Sequence, residues 1–139
     1  MNGQNLTELV THKEFLETLI ADDYRLLADY DPYALIKELL PALGSNDGYL
    51  RDKLAYSIIA QIILADFATY PLTGAQREEL LLTCIDQDHL FYHIGEFGMD
   101  SVFMRTFSSL IVAALLFKDH QHPHISEAAS SCATQALLT

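Results

Sequence analysis

The stretch "LGSNDGYLRDKLAYSI", residues 43–58, decides how the rest of the chain reads. A small, polar opening leads to an apolar–Arg pair, Leu50-Arg51, and then to an apolar run that continues through "IAQII". Leu50, Leu54, Ile58, Ile59, Ile62 and Ile63 recur at helical spacing and predict a helix with a wide apolar face over residues 49–69. The acid at the opening caps the incoming helix. The Arg bridges that acid or a neighbouring carbonyl, because a guanidinium near a buried helix boundary needs a partner. Asp47, Asp52 and Asp100 are the candidate acids.

The same arrangement returns in "GMDSVFMRTFSSLIVAALL", which starts at residue 98. Met104-Arg105 takes the place of Leu50-Arg51, and a second long apolar run follows over residues 100–118. Aligning the two arginines gives a period of about 54 residues, somewhat longer than the ~40 to 47 of HEAT-type helix pairs. One helix pair cannot bury its own apolar stripe, so such pairs stack and cover one another. Working outward, strand signals are almost absent and helical periodicity is general. "KEFLETLIADDYRLL" carries Phe15, Leu16, Leu19, Ile20 and Leu27 on one face. "DPYALIKELLPALG" has Asp31 as cap, Pro32 at the first helical position and Pro41 in its last turn, and it ends at Gly44. "TGAQREELLLTCID" opens on a capping box of Thr73 and Gln76. A short last helix starts after Ser126. The expectation is an all-α, HEAT- or armadillo-like stack of about six helices in a single domain over residues 1–139. The two apolar helices are expected to be central and covered on most sides.

Composition bounds the function. Of 139 residues, 50% are apolar and 19% charged, as in a globular chain. Nineteen acids face eight bases, for a net charge of −11, with no run of Lys or Arg. A nucleic-acid binder needs a cationic stripe to displace counterions, so nucleic acid is excluded as a partner, and anionic lipid is repelled. The N-terminus "MNGQNLTELVTHKEF" is not a signal peptide. The longest apolar stretch, "FSSLIVAALLF" at 107–117, is shorter than the ~20 residues a bilayer needs. Cys84 and Cys132 stand alone and fit a reducing, cytoplasmic setting.

The residues "ELLPALGSNDGYLRDKLAYSIIAQII" and "LFYHIGEFGMDSVFMRTFSSLIVAALL" resemble a bacterial domain-of-unknown-function family, the one numbered 2785. One matching segment is Arg51, Asp52, Leu54, Ala55 and Tyr56. The more specific one is Gly95, Glu96, Gly98, Asp100, Ser101, Val102, Phe103 and Arg105. The resemblance covers about residues 33–120. It implies an all-helical, HEAT-like fold with no assigned activity. It also implies a further Trp-containing helical segment toward the C-terminus, which this chain, without Trp, is expected to lack.

Three clusters bear on chemistry. His89, His93 and Glu96 have a ligand-like spacing, but Gly95 and Gly98 interrupt any helix there and no third ligand follows, so no metal and no cofactor is expected. The plainer reading has Glu96 and Asp100 capping the next helix, with Arg105 paired to one of them. His120, His122 and His124 read as an exposed turn after a helix end. Asp52 and Tyr56 share a helical face beside Arg51 and form a second candidate pocket, or else an ion pair and a buried Tyr. No nucleophile has a base at helical spacing, and the acids Asp86 and Asp88 near Cys84 would suppress a thiolate, so no catalytic set is expected. The leading expectation is a binding or scaffold module for a protein or peptide, with basic character favoured by the net charge. The alternative is a small-ligand binder or enzyme using the loop at 93–105 (His93, Glu96, Asp100, Arg105) together with Arg51, Asp52 and Tyr56. Self-association into a homodimer is a further expectation.

Overall fold

Asp31 and Pro32 behave as their positions dictate. The computed structural model describes residues 6–25, 29–65, 69, 72–93, 100–121 and 123–138. In it the Asp31 carboxylate accepts from the Tyr33 amide and Pro32 opens α3, Pro32–Leu39. The fold is all-α: every regular element among the described residues is helical. The contacts fall into two compact units, Met1–Pro71 and Leu72–Thr139.

The first unit holds α1, Leu6–Leu9, α2, Lys13–Ala21, and α3. A 3-10 turn, Leu40–Gly44, follows α3 and contains Pro41, whose missing amide suits the tighter geometry. Next comes a π-helix, Tyr49–Tyr56, which runs directly into α4, Ser57–Leu64. Buried residues Leu54, Ile58 and Ile62, and likewise Ala55, Ile59 and Ile63, form rows spaced by four. Such rows gain on a 3.6-residue turn, and wider i→i+5 turns offset the gain. Against them lie Leu16 and Leu19 of α2, and Leu35, Ile36 and Leu39 of α3, all essentially inaccessible. Their packing partners are the π-helix for α2 and α4 for α3.

Two sequence expectations change here. The second helix does not continue toward Leu27, which lies outside the described residues. It stops at Ala21, where the Asp23 amide donates to the Ile20 carbonyl and the Tyr24 amide to the Leu19 carbonyl. Asp23 and Tyr24 take left-handed conformations, φ 55° and 62°. This is a Schellman closure with Asp where Gly is commonest. The apolar helix expected over residues 49–69 is π-helical in its first half and ends at Leu64.

The second unit holds α5, Gly74–Cys84, α6, Ser101–Gln121, and α7, Glu127–Leu138. Each packs on the other two. The expected capping box is present, with Thr73 Oγ1 accepting from the Gln76 amide at 3.0 Å and the Gln76 side chain accepting from the Thr73 amide at 3.0 Å. The core is Leu80, Leu81 and Cys84 of α5, Ile111, Val112 and Leu115 of α6, and Ala129 and Ala133 of α7. Ser126 caps α7 through its hydroxyl, which accepts from the Ala129 amide at 3.2 Å. Its own amide donates to Glu78 of α5 at 2.8 Å, fastening the start of α7 to its neighbour.

α6 departs from expectation in two ways. At 21 residues it has the length and composition of a membrane-spanning helix, which the 107–117 segment alone did not suggest. It is also not covered on most sides: Val102, Leu110 and Phe117 remain 43%, 40% and 58% exposed along one row, opposite the buried row that packs on α5 and α7.

Candidate functional site

The two arginines singled out by the sequence both hold the chain just ahead of a helix. At the first, the Asp47 carboxylate accepts from the amides of Tyr49 and Leu50 at 3.1 and 3.3 Å, capping the π-helix. Its other oxygen pairs with Lys13 of α2. The Lys13 ammonium and then the Leu50 amide hold the Asp47 carboxyl below the usual carboxylate range. Of the acids proposed for Arg51, Asp52 is the partner, with Arg51 Nε donating to it at 2.7 Å. Arg51 Nη1 donates back to the Ser45 carbonyl at 2.9 Å, so the guanidinium staples the preceding turn to the helix. Tyr56 is half-buried and lines a separate hollow with Tyr24, Ala60, Gln61 and Leu64.

At the second arginine the sequence reading expected Glu96 or Asp100; Glu96 lies outside the described residues, and the bonds to described residues run to backbone and to Ser101. Arg105 Nη1 donates to the carbonyls of Tyr92 and His93 at 2.7 and 3.0 Å and to Ser101 Oγ at 3.2 Å. Two carbonyls thus share one guanidinium nitrogen, which takes up their lone pairs without adding charge. The held segment is a run of turns leaving α5. Leu90 returns its amide to the Cys84 carbonyl at 3.0 Å, Phe91 to Asp86 at 3.2 Å and Tyr92 to His89 at 3.1 Å. Asp86 organises it further: its Oδ1 accepts from the Asp88 amide at 2.8 Å and lies 2.7 Å from His89 Nδ1. The segment ends at His93, left-handed at φ 47°, its ring stacked on Tyr92 with centroids 4.0 Å apart. A left-handed non-glycine persists only where its surroundings hold it, and the Arg105 bonds to the flanking carbonyls do so.

The rest of the predicted set divides between the two units. His89 is engaged with Asp86 and His93 with Tyr92, so their side chains serve the turn run. Glu96 lies outside the described residues. Asp100 is exposed at the start of α6, its carbonyl accepting from the Phe103 amide at 3.0 Å. Arg51, Asp52 and Tyr56 belong to the first unit, and His93, Asp100 and Arg105 to the second. His122 also lies outside the described residues. Among those described, no group of three or more His, Cys, Asp or Glu is placed to hold a metal ion. Cys84 is buried, and that burial, with the Asp86 charge, pushes its thiol up to about 12.

Sequence reasoning missed two buried cations. Arg77 is fully buried in α5, and its burial lowers its pKa. Lys118, in α6, is 6% exposed. The signal was there: Arg77 shares the spacing of Leu80, Leu81 and Cys84, and Lys118 that of Ile111 and Leu115. It also missed Asp119, which accepts from the amides of His124 and Ile125 at 2.8 and 2.9 Å and closes the α6–α7 turn.

Around the turn run Gln87, Asp88, Phe91, Tyr92 and His93 line an open hollow of about 610 Å³. No curated protein and no solved structure matches the chain. Residues 90–139, which include Tyr92, His93 and Arg105 but not the Arg51 segment, are similar to the family described as "Protein of unknown function (DUF2785)".

Proposed function

We propose that the chain is a helical binding module whose partner is a protein or peptide with a basic, partly apolar face. The observation that carries this is where the second unit keeps its charges. All three of its bases are drawn inward: Arg77 is fully buried, Lys118 is nearly so, and Arg105 grips backbone carbonyls. Its acids Glu79, Asp86, Asp88, Asp100 and Glu127 are exposed. The exposed charges of these elements are therefore carboxylates, and they attract and orient a cationic partner. The exposed row Val102, Leu110 and Phe117 supplies apolar contact on the same unit. We read the helices as HEAT-like pairs, α6 as a core helix rather than a membrane span, and the protein as cytoplasmic, on the same grounds of packing, charge and cysteine usage.

The test uses two synthetic helical peptides of one Leu pattern, the first carrying Lys and the second Glu at its polar positions, titrated into the labelled full chain. The basic peptide binds with an affinity that falls steeply with salt, and the acidic one does not bind. Equal binding of both, or of neither at low salt, overturns the reading.

A further inference from the structure

Resting on that reading, we propose that the hollow at Gln87, Asp88, Phe91, Tyr92 and His93 is the pocket that takes an arginine side chain of the basic partner. The lining combines what a guanidinium requires. Phe91, Tyr92 and His93 supply ring faces, two of them stacked with their planes 15° apart. A planar cation stacks on such faces and is attracted by their quadrupoles. Asp88 supplies an exposed carboxylate on the same lining. A guanidinium can donate to that carboxylate with its edge while its face lies on a ring. Gln87 adds an amide oxygen as a further acceptor.

The site is formed before any guest arrives. Five backbone and side-chain bonds tie residues 86–92 into consecutive turns, and Arg105 fixes the carbonyls of Tyr92 and His93. The strained φ of 47° at His93 is held in place by the Arg105 contacts and turns the chain where the aromatic run ends. A guest therefore meets rings already in position and orders little of the protein on binding. The exposed carboxylate of Asp88 on the lining, with that of Asp86 two residues before it in the chain, favours a cation over an anion or a neutral side chain.

The experiment titrates three peptides into the full chain and follows backbone amide shifts by NMR. The peptides have one sequence, Leu-rich and basic, with a central Arg, citrulline or norleucine. With Arg, the largest shifts fall on residues 86–93, and Asp88→Asn and Tyr92→Leu each weaken binding about tenfold, the loss of roughly one stacked or charge-assisted contact. With citrulline, which keeps shape and loses charge, wild-type binding drops to the level of the variants. If the Arg peptide binds but shifts spread over α6, or both variants bind as wild type, the pocket assignment is wrong while the basic-partner reading stands. If citrulline or norleucine binds as well as Arg, the pocket does not read the cation and the proposal is overturned. If no basic peptide binds, both fall together.

Discussion

The Arg105 guanidinium stands 2.7 Å from the carbonyl oxygen of Tyr92, thirteen residues earlier in the chain. With the second bond to His93 it makes one side chain responsible for the course of the turn run after α5. Hydrogen bonds from a charged donor are worth more than neutral ones, and losing this donor leaves the part-buried Tyr92 carbonyl and the exposed His93 carbonyl to find water. Arg105→Ala lowers the unfolding free energy by about 1–3 kcal/mol, read from urea titration at unchanged slope. Arg105→Lys recovers part of the loss, since both carbonyls are reached from the one nitrogen Nη1, and an ammonium also carries several donors but on a shorter stem that brings them less well into place. An unchanged midpoint in the Ala variant would mean that the turn bonds alone hold the corner.

Helix starts were legible because each is written in a few adjacent residues. Asp31-Pro32 and Thr73 with Gln76 act locally, and the structure places them as read. The role of Arg51 was half legible. Its backbone target was foreseen in kind, but the choice of Asp52 over Asp47 turns on Lys13, which claims Asp47 from another helix. The carbonyl partners of Arg105 were legible only in kind, because a carbonyl has no sequence signature that says which one is taken. The π-helix was not legible, since apolar rows at intervals of four fit either helix type until packing decides. The early stop of α2 was hidden because its Schellman closure uses Asp23, with no glycine to mark it. The burial of Arg77 was hidden because charged side chains are almost always at the surface, so its place in the apolar stripe carries no mark of its own.

Two glycines make opposite predictions. Gly48 has helical torsions, φ −61° and ψ −33°, and a methyl group there meets only the flexible end of Arg51, at 3.4 Å. Gly48→Ala therefore removes unfolded-state freedom without strain and stabilises by about 0.4–1 kcal/mol. At Gly74 the same methyl group sits 3.0 Å from the His124 carbonyl oxygen, a backbone atom of the α6–α7 turn. Gly74→Ala destabilises by about 1–3 kcal/mol, as overpacking does. Thermal melts of the two variants should move in opposite directions, and a common direction would refute this account of the turn.

The α6–α7 turn also sets an acid limit. Burial raises the Asp119 pKa, but the His124 and Ile125 amides and the charges of His124 and His120 outweigh it, leaving the group below its ordinary 3.8. Glu78, which accepts from Ser126, is lowered as well. A carboxyl whose folded pKa is depressed contributes stability fully above its unfolded value and loses it as pH falls through the folded one. Stability of the second unit should thus be level from neutrality down to about pH 5 and then decline. In Asp119→Asn the side-chain oxygen still accepts from both amides but no longer titrates. That variant should show a shallower acid decline than the parent, measured as melting temperature against pH, and an identical profile would remove Asp119 from the argument.

The two thiols should separate cleanly by reactivity. Cys132 is exposed on α7, whereas Cys84 is buried among α5, α6 and α7 with its thiol pushed up to about 12. Only the thiolate attacks a disulfide reagent, and access is needed as well. An aromatic disulfide reagent should label one thiol per chain promptly and the second only as the second unit opens. Cys132→Ser should abolish the prompt phase and leave the slow one. The slow rate then becomes a direct measure of opening, since Cys84 is fully buried in α5, which packs on both α6 and α7. Arg105→Ala should accelerate it if the turn run leaving α5 at Cys84 helps hold that core closed. Two prompt thiols in the native chain would contradict the burial of Cys84.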